Sequence, residues 1–344
     1  MKKIPLWGRP ARWVQLTLVA ALASSCLSTV SAADFQPRII RFGYGLAEDS
    51  NQGRAVKYFA QELNKLSNGK LRAKGFASAS LGNDNQMQNA LIGGAQEMTV
   101  VSTATLVGID DAFGIYDLPF LFRTEQEADA VLDGNFGKKL MTQLESKGLV
   151  GLVYWENGFR NLTNSKHPIN KLEDLQGIKL RVMQNPVYID MFNSFGANAI
   201  PLAFSELFTA LESRTVDGQE NPVNTIQSSK FYEVQKYLSI TKHVYSPWIV
   251  LASKKWWDGL SAAEKNAIQQ AAVASRDFER ADSRDAGNKA LATLKLKGME
   301  VTTLSNKELD RMQERARPAV VKFSANGHAD LVKELQAEIT KVRK

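Results

Sequence analysis

The stretch from Ser261 to Gly298 limits the possible folds of this chain most strongly. It opens with Ser261-Ala262-Ala263-Glu264, a capping box in which the Ser and Glu side chains satisfy backbone N–H groups at a helix start. No proline follows before Gly298, so the pattern predicts one helix of roughly 50 Å at about 1.5 Å per residue. Such a helix is longer than one small domain is wide, which indicates a brace running across two lobes.

The rest of the chain alternates short apolar strands with amphipathic helices, which predicts an α/β fold with both faces of the sheet covered. A first set ends with a strand at 150–155, and a second set begins with a separate strand at 160–163. The chain is expected to cross between the lobes near Glu156 and again near Ser246, on strands that act as hinges. The predicted boundaries are 33–157 with 246–285 for one lobe, and 158–245 with 286–344 for the other.

The first 32 residues have the pattern of a secretory signal peptide. Four basic residues open the chain: Lys2, Lys3, Arg9 and Arg12. Residues 14–30 are mostly apolar or small, and Val30-Ser31-Ala32 fits a small-residue cleavage site. The apolar core is too short and too rich in serine to predict a membrane span, so the mature protein is expected in the periplasm.

Removing this leader changes the functions that the composition favours. The formal charge of +7 falls to +3 without the four basic residues, so the sequence does not predict nucleic-acid binding. The only cysteine, Cys26, lies inside the leader, which leaves no disulfide and no thiolate metal site to expect in the mature chain. An alternative is that Cys26 becomes a lipidated N-terminus, although Ala23-Ser24-Ser25 before it is a poor lipidation signal.

Catalytic motifs are not found in the sequence. The three histidines (His167, His243 and His328) have no metal-ligand spacing, and there is no nucleophile elbow or phosphate-binding loop. No catalytic residue, metal or cofactor is therefore predicted.

Two arginines and one asparagine are the candidate binding residues. Arg160 and Arg181 each lie at the edge of a predicted strand, where a guanidinium can point into a cleft and hold a carboxylate by two parallel bonds. The alternative for either arginine is an ordinary salt bridge at the surface or between strands. Asn221-Pro222 is typical of a helix start, with Asn as the cap and Pro in the first helical position.

Several blocks, in one order along the mature chain, resemble the substrate-binding proteins of tripartite ATP-independent periplasmic (TRAP) transporters. They include SLGND from Ser80, DLPFLF from Asp117, YWENGFRNLTNS from Tyr154, GIKLRV from Gly177 and VDGQENP from Val216. The resemblance implies a two-lobed periplasmic-binding-protein-like α/β fold with a ligand cleft and a long helix spanning both lobes.

The resemblance also implies roles for individual residues. Arg181 corresponds to the arginine that makes the main salt bridge to a substrate carboxylate, Arg160 to the one that assists it, and Asn221 to a hydrogen-bond donor. The remaining implied pocket residues are Phe204, which packs over the ligand, and Asp84, Ser102, Glu220 and Trp248.

The motifs are most similar to those of members that bind six-carbon sugar acids, such as uronates, aldonates or keto-gulonates. A C4-dicarboxylate or a small hydroxy or keto acid is the alternative ligand. The expected partners are two integral-membrane transporter subunits, with the receptor acting as a monomer. A periplasmic sugar-acid enzyme, with Glu220 or His243 as base, and a sensor that presents its ligand to a receptor kinase are competing hypotheses.

Overall fold

A computed structural model describes residues 35–343. The predicted signal peptide and Cys26 lie outside these residues. The described part contains ten strands: β1 Arg38–Tyr44, β2 Leu71–Phe76, β3 Met98–Ser102, β4 Leu149–Asn164, β5 Lys179–Val182, β6 Asn198–Pro201, β7 Gly218–Pro222, β8 Tyr237–Ile240, β9 Tyr245–Ser253 and β10 Glu300–Thr303. The α-helices between Phe35 and Arg343 are α1 Asn51–Leu66, α2 Asp84–Gly93, α3 Glu125–Asp133, α4 Asn135–Gln143, α5 Pro186–Ser194, α6 Phe204–Glu212, α7 Val223–Ser228, α8 Lys254–Asp258, α9 Ala262–Leu296, α10 Asn306–Phe323 and α11 Ala329–Val342.

The strands form one mixed sheet in two parts, which confirms the predicted α/β class. Its order is β2-β1-β3-β9-β4-β7-β5-β6, and β8 pairs with β4 on one side and β10 on the other. Five of the nine strand pairings within residues 35–343, such as β1 with β2 and β5 with β6, are parallel, and the four that involve β4 or β9 are antiparallel. Parallel pairing requires helical crossovers, so the helices cover both faces of the sheet.

Strand β4 belongs to both parts of the sheet. Its residues 149–159 pair with β9, and its residues 160–164 pair with β7. The prediction of two separate strands at 150–155 and 160–163 is therefore wrong. The register shifts between Glu156 and Gly158, and Gly158 has φ 112°, so a bulge takes up the irregular residues and the strand bends without ending.

The long helix α9 has 35 residues, which corresponds to about 52 Å. The predicted capping box is present, with the Ser261 hydroxyl accepting from the Glu264 N–H at 3.1 Å and Glu264 Oε2 accepting from the Ser261 N–H at 2.9 Å. Its first half packs with Phe42 and Trp155 of the first part of the sheet. Its end packs through Leu294 with residues of the second part, so the expectation of a helix spanning both lobes is confirmed.

The C-terminal helices divide between the two parts of the molecule. α10 packs on α5, whereas α11 packs on α3 and α4. Leu335 and Ile339 of α11 are buried in the same cluster as Phe113 and Phe136. This position differs from the sequence-based placement of 286–344 in the second lobe, because the apolar face of α11 fits the first-lobe cluster. None of the helices within residues 35–343 combines the length and the apolar character that crossing a membrane requires.

Candidate functional site

A cavity lies between the two parts of the sheet, and residues of both parts line it. Seven of the eight residues predicted to bind ligand line the cavity: Asp84, Ser102, Arg160, Arg181, Phe204, Asn221 and Trp248. They come from both parts, because the ends of β3, β5 and β7, the middle of β4 and the start of α2 all meet at this point.

Arg181 is a buried cation without an acidic partner. It lies on β5, only 2% exposed, and its Nε donates to the Leu202 carbonyl at 2.8 Å. Among residues 35–343, neither terminal nitrogen of its guanidinium has a hydrogen-bond partner, and no carboxylate forms an ion pair with it. Burial lowers the pKa of Arg181 to about 10, so the side chain remains charged at neutral pH and can accept an anion.

Arg160 differs because its charge is already compensated. Its side chain is 1% exposed and lies where β4 leaves β9 for β7. Nε donates to Glu220 Oε2, and Nη2 donates to Glu220 Oε1 at 2.8 Å and to the Glu220 carbonyl at 2.6 Å. The guanidinium also lies 5.6 Å from the centre of the Tyr188 ring. These contacts fix the guanidinium of Arg160 in place.

Glu220 lies behind Arg160 and does not line the cavity, in contrast to the prediction. Its carboxylate is fully buried, and His243 Nε2 lies 3.2 Å from Oε2. Burial alone raises the pKa of Glu220, but the charge of Arg160 and the hydrogen bonds from His243 and Arg160 outweigh burial and leave the pKa below its usual value. Glu220 and His243, the candidate bases of the enzyme hypothesis, therefore do not face the cavity.

Asn221 lies in a strand, so its interpretation as a helix cap is wrong. β7 pairs Asn221 with Asn161 of β4, and this pairing keeps residue 221 extended. Pro222, not Asn221, is the residue before α7, and no side chain caps that helix. The Asn221 amide nitrogen donates to Gln219 Oε1 at 2.5 Å, which holds the side chain at the cavity wall.

Asp84 and Ser102 form the opposite wall. Asn83 and Gln86 form a capping box that starts α2, and Asp84 is the first residue of that helix. Asp84 Oδ2 accepts from the Ser102 N–H at 3.1 Å. Burial raises the pKa of Asp84 to about 6, although this hydrogen bond and the charge of Arg181 lower it.

Phe204 and Trp248 supply apolar surface to the same cavity. Trp248 is 5% exposed and pairs with Ser102 in the sheet, while Phe204 begins α6 with its ring 6.0 Å from that of Phe231. Apolar walls with a few fixed polar groups are the usual composition of a small-molecule site. Within the described residues, no cluster of His, Cys, Asp and Glu side chains could hold a metal ion.

Comparison with known proteins identifies the family. Residues 42–326 match the family model of bacterial extracellular solute-binding protein, family 7. This chain belongs to that family. It is 38% identical to the 2,3-diketo-L-gulonate-binding periplasmic protein of Escherichia coli over 315 residues, which cover 91% of this chain and 96% of the relative.

Solved structures agree with this family. The sugar acid binding protein of Advenella mimigardefordensis in complex with galactonate is 52% identical, has a TM-score of 0.88, and is matched over 90% of this chain and 99% of its own. A TRAP periplasmic solute binding protein of Polaromonas, bound to D-erythronate, is 38% identical with a TM-score of 0.84, over 87% of this chain and 98% of its own. The predicted family and two-lobed fold are confirmed: the chain is a solute-binding protein of the TRAP type.

The two lobes of this solute-binding protein touch across the mouth of the cavity. Asn85 Nδ2 donates to Gln184 Oε1 at 3.0 Å. Beside this pair, Asn185 Nδ2 donates to the Ala104 carbonyl at 3.1 Å and to Asp117 Oδ2 at 2.8 Å. These bonds join first-lobe segments to the start of α5, so the two lobes are in direct contact here.

Several polar residues that line this cavity were not predicted from the sequence. They are Gln52, Asn85, Thr105, Asn157, Gln184 and Thr225. Each lies on a different element, and only Asn157 falls inside one of the quoted motifs, YWENGFRNLTNS. The fold brings the others together from positions that no motif or spacing marks.

Proposed function

We propose that this TRAP solute-binding protein captures a six-carbon sugar acid in the interlobe cavity. A uronate, an aldonate or a keto-gulonate would fit, with its carboxylate on Arg181. The observation that carries the proposal is the buried guanidinium of Arg181, which has no acidic partner within residues 35–343 and faces the cavity. A charge buried in this way is stable only when it is paired, and a planar carboxylate matches the fork of donors that arginine offers.

The other walls support a hydroxylated ligand. Asn221 and Arg160 lie beside Arg181, and Asp84 and Ser102 reach the cavity from the opposite lobe. The amides of Gln52 and Asn157 add further donors and acceptors, while Phe204 and Trp248 cover the apolar faces of a carbon chain. The relatives that bind galactonate and 2,3-diketo-L-gulonate support the same ligand class.

The protein would act by capture and delivery, without changing its ligand. A ligand that contacts both lobes stabilises the closed form in proportion to its differential contacts with the two states. The closed, ligand-bound monomer would then dock on the two membrane subunits of the transporter in the periplasm. The predicted signal peptide and the periplasmic relatives support this location.

A thermal-shift screen tests the proposal. The mature protein, unfolded and refolded to remove bound ligand, is mixed with galactonate, glucuronate, 2,3-diketo-gulonate, succinate or malate. A ligand that binds only the folded state raises Tm by mass action. A selective rise with a six-carbon sugar acid supports the proposal, a rise only with succinate or malate replaces it with a C4-diacid receptor, and conversion of the acid into a product replaces it with an enzyme.

A further inference from the structure

Asp84 places a negative charge inside a cavity that binds an anion. Only three charged side chains line this cavity within the described part of the chain: Asp84, Arg160 and Arg181. The charge of Arg160 is compensated by its ion pair with Glu220, so Arg160 offers no uncompensated positive charge to a ligand. What remains is one cation, Arg181, and one acid, Asp84.

Asp84 is not an ion-pair partner of Arg181. No Asp84 oxygen lies within 4.0 Å of an Arg181 nitrogen, which is the limit for an ion pair among the described residues. Asp84 Oδ2 accepts from the Ser102 N–H, whereas Oδ1 accepts no hydrogen bond from residues 35–343. Oδ1 lies near Gly45, which also lines the cavity, and a Cβ on that glycine would lie 3.7 Å from it.

The local structure does not require a charge at position 84. Asn83 and Gln86 already cap α2, and the bond from Ser102 needs only an oxygen, which asparagine also offers. The helix N-terminus does favour the ionised form, because the helix dipole is positive there. Burial outweighs this effect and raises the pKa of Asp84, so the fold carries the carboxylate at a cost and does not need it, which suggests a role toward the ligand.

We infer that Asp84 makes this protein selective for monocarboxylates, by accepting hydrogen bonds from ligand hydroxyls and repelling a second carboxylate. The inference rests on the proposed function and assigns to Asp84 the exclusion of diacids, such as aldarates, from that ligand class. A monoanion pairs with Arg181 and presents hydroxyls to Asp84. The second carboxylate of an aldarate or a C4-diacid finds no uncompensated cation and meets a like charge, a repulsion that proteins use to reject wrong partners.

Calorimetry with galactonate and galactarate tests the inference. The two acids share a six-carbon chain, but galactarate carries a second carboxylate at the end where galactonate has a hydroxyl group. At pH 7.5 the wild-type protein is expected to bind galactonate about 30-fold more tightly, since juxtaposed like charges weaken binding strongly. Asp84→Asn is expected to reduce this ratio to about threefold, by improving galactarate binding and weakening galactonate binding. Asp277→Asn, at an exposed position of α9, is the matched control and should keep the wild-type ratio.

Each outcome has one meaning. If wild-type protein binds both acids equally, or if Asp84→Asn binds both with an unchanged ratio, the inference is overturned while the sugar-acid proposal stands. If wild-type protein binds neither acid but binds succinate, the proposed function fails and the inference fails with it. Should Asp84→Asn not fold, Asp84→Glu replaces it: retained discrimination supports a role of the charge, and equal binding of both acids overturns it.

Discussion

Arg160 and Glu220 form a two-point ion pair closed off from solvent, with side-chain exposures of 1% and 0%. Arg181, which lines the same cavity as Arg160, has no such partner within residues 35–343. The two arginines therefore have different tasks. Arg160 is a fixed part of the wall, whereas Arg181 carries the charge that a ligand can compensate.

Glu220→Gln should destabilise the fold, because it leaves Arg160 buried without its counter-charge. We expect the free energy of unfolding to fall by about 3 kcal/mol, the scale of breaking one partner of a buried pair. Urea denaturation measures this change. Glu314→Gln, which breaks the exposed Arg317–Glu314 pair, is the control and should cost less than about 0.5 kcal/mol. Equal effects of the two variants would contradict the structural role of Glu220.

Arg181→Lys should fold normally and bind its sugar acid weakly. Lysine keeps the positive charge but loses the planar fork, so at least one charge-assisted hydrogen bond to the carboxylate disappears. We expect affinity to fall by about 30-fold, which corresponds to roughly 2 kcal/mol. Calorimetry with galactonate measures the change, and Arg317→Lys on the surface is the control. Unchanged affinity would move the carboxylate away from Arg181.

The Asn85–Gln184 bond should slow ligand release, because it joins the lobes at the mouth of the cavity. Asn85→Ala is expected to raise the dissociation rate about threefold, the effect of one partly exposed hydrogen bond. Stopped-flow fluorescence can follow release through Trp248 in the cavity wall. A double-mutant cycle with Gln184→Ala isolates the pair; fully additive effects of the two substitutions would show that the bond does not act as a latch.

The elements that sequence predicted well are those with local signals. The Ser261 capping box marks the start of α9 as predicted, because it depends on residues within a few positions. The sequence did not predict that β4 is one continuous strand. The irregular residues Asn157 and Gly158 could either end the strand or form a bulge, and pairing with the distant strands β9 and β7 decides between these outcomes.

The charge state of the site could not be predicted from the sequence for the same reason. Arg160 and Glu220 are 60 positions apart, and no local pattern reveals that one arginine is compensated and the other is not. Asn221 followed by Pro222 has a helix-start pattern, yet tertiary strand pairing overrides it. Local propensity is a weak prior wherever long-range contacts compete with it.

Glu279 should make the stability of the protein depend on pH. This side chain of α9 is fully buried at the point where β4 bends, accepting from the Glu156 N–H at 2.7 Å and from Asn51 Nδ2 at 3.2 Å. Burial raises the pKa of Glu279 well above its usual value, despite the hydrogen bond from Glu156. The folded state therefore keeps the Glu279 proton at pH values at which the unfolded state has already released it. As pH rises above the ordinary pKa of a glutamate, the free energy of unfolding accordingly falls.

Glu279→Gln tests this account, because glutamine keeps the shape and cannot ionise. We expect the Tm of the wild-type protein to fall between pH 5.5 and pH 8.5, and the Tm of Glu279→Gln to fall by less. The variant should therefore have a higher Tm than the wild-type protein at pH 8.5. Glu279→Ala should lower the free energy of unfolding by about 2 kcal/mol at every pH, since Glu156 N–H and Asn51 lose their acceptor. Circular dichroism melts at three pH values distinguish the cases. If Glu279→Gln follows the wild-type pH profile, Glu279 is ionised in the fold and the positive charge of neighbouring Arg280 must compensate for its burial.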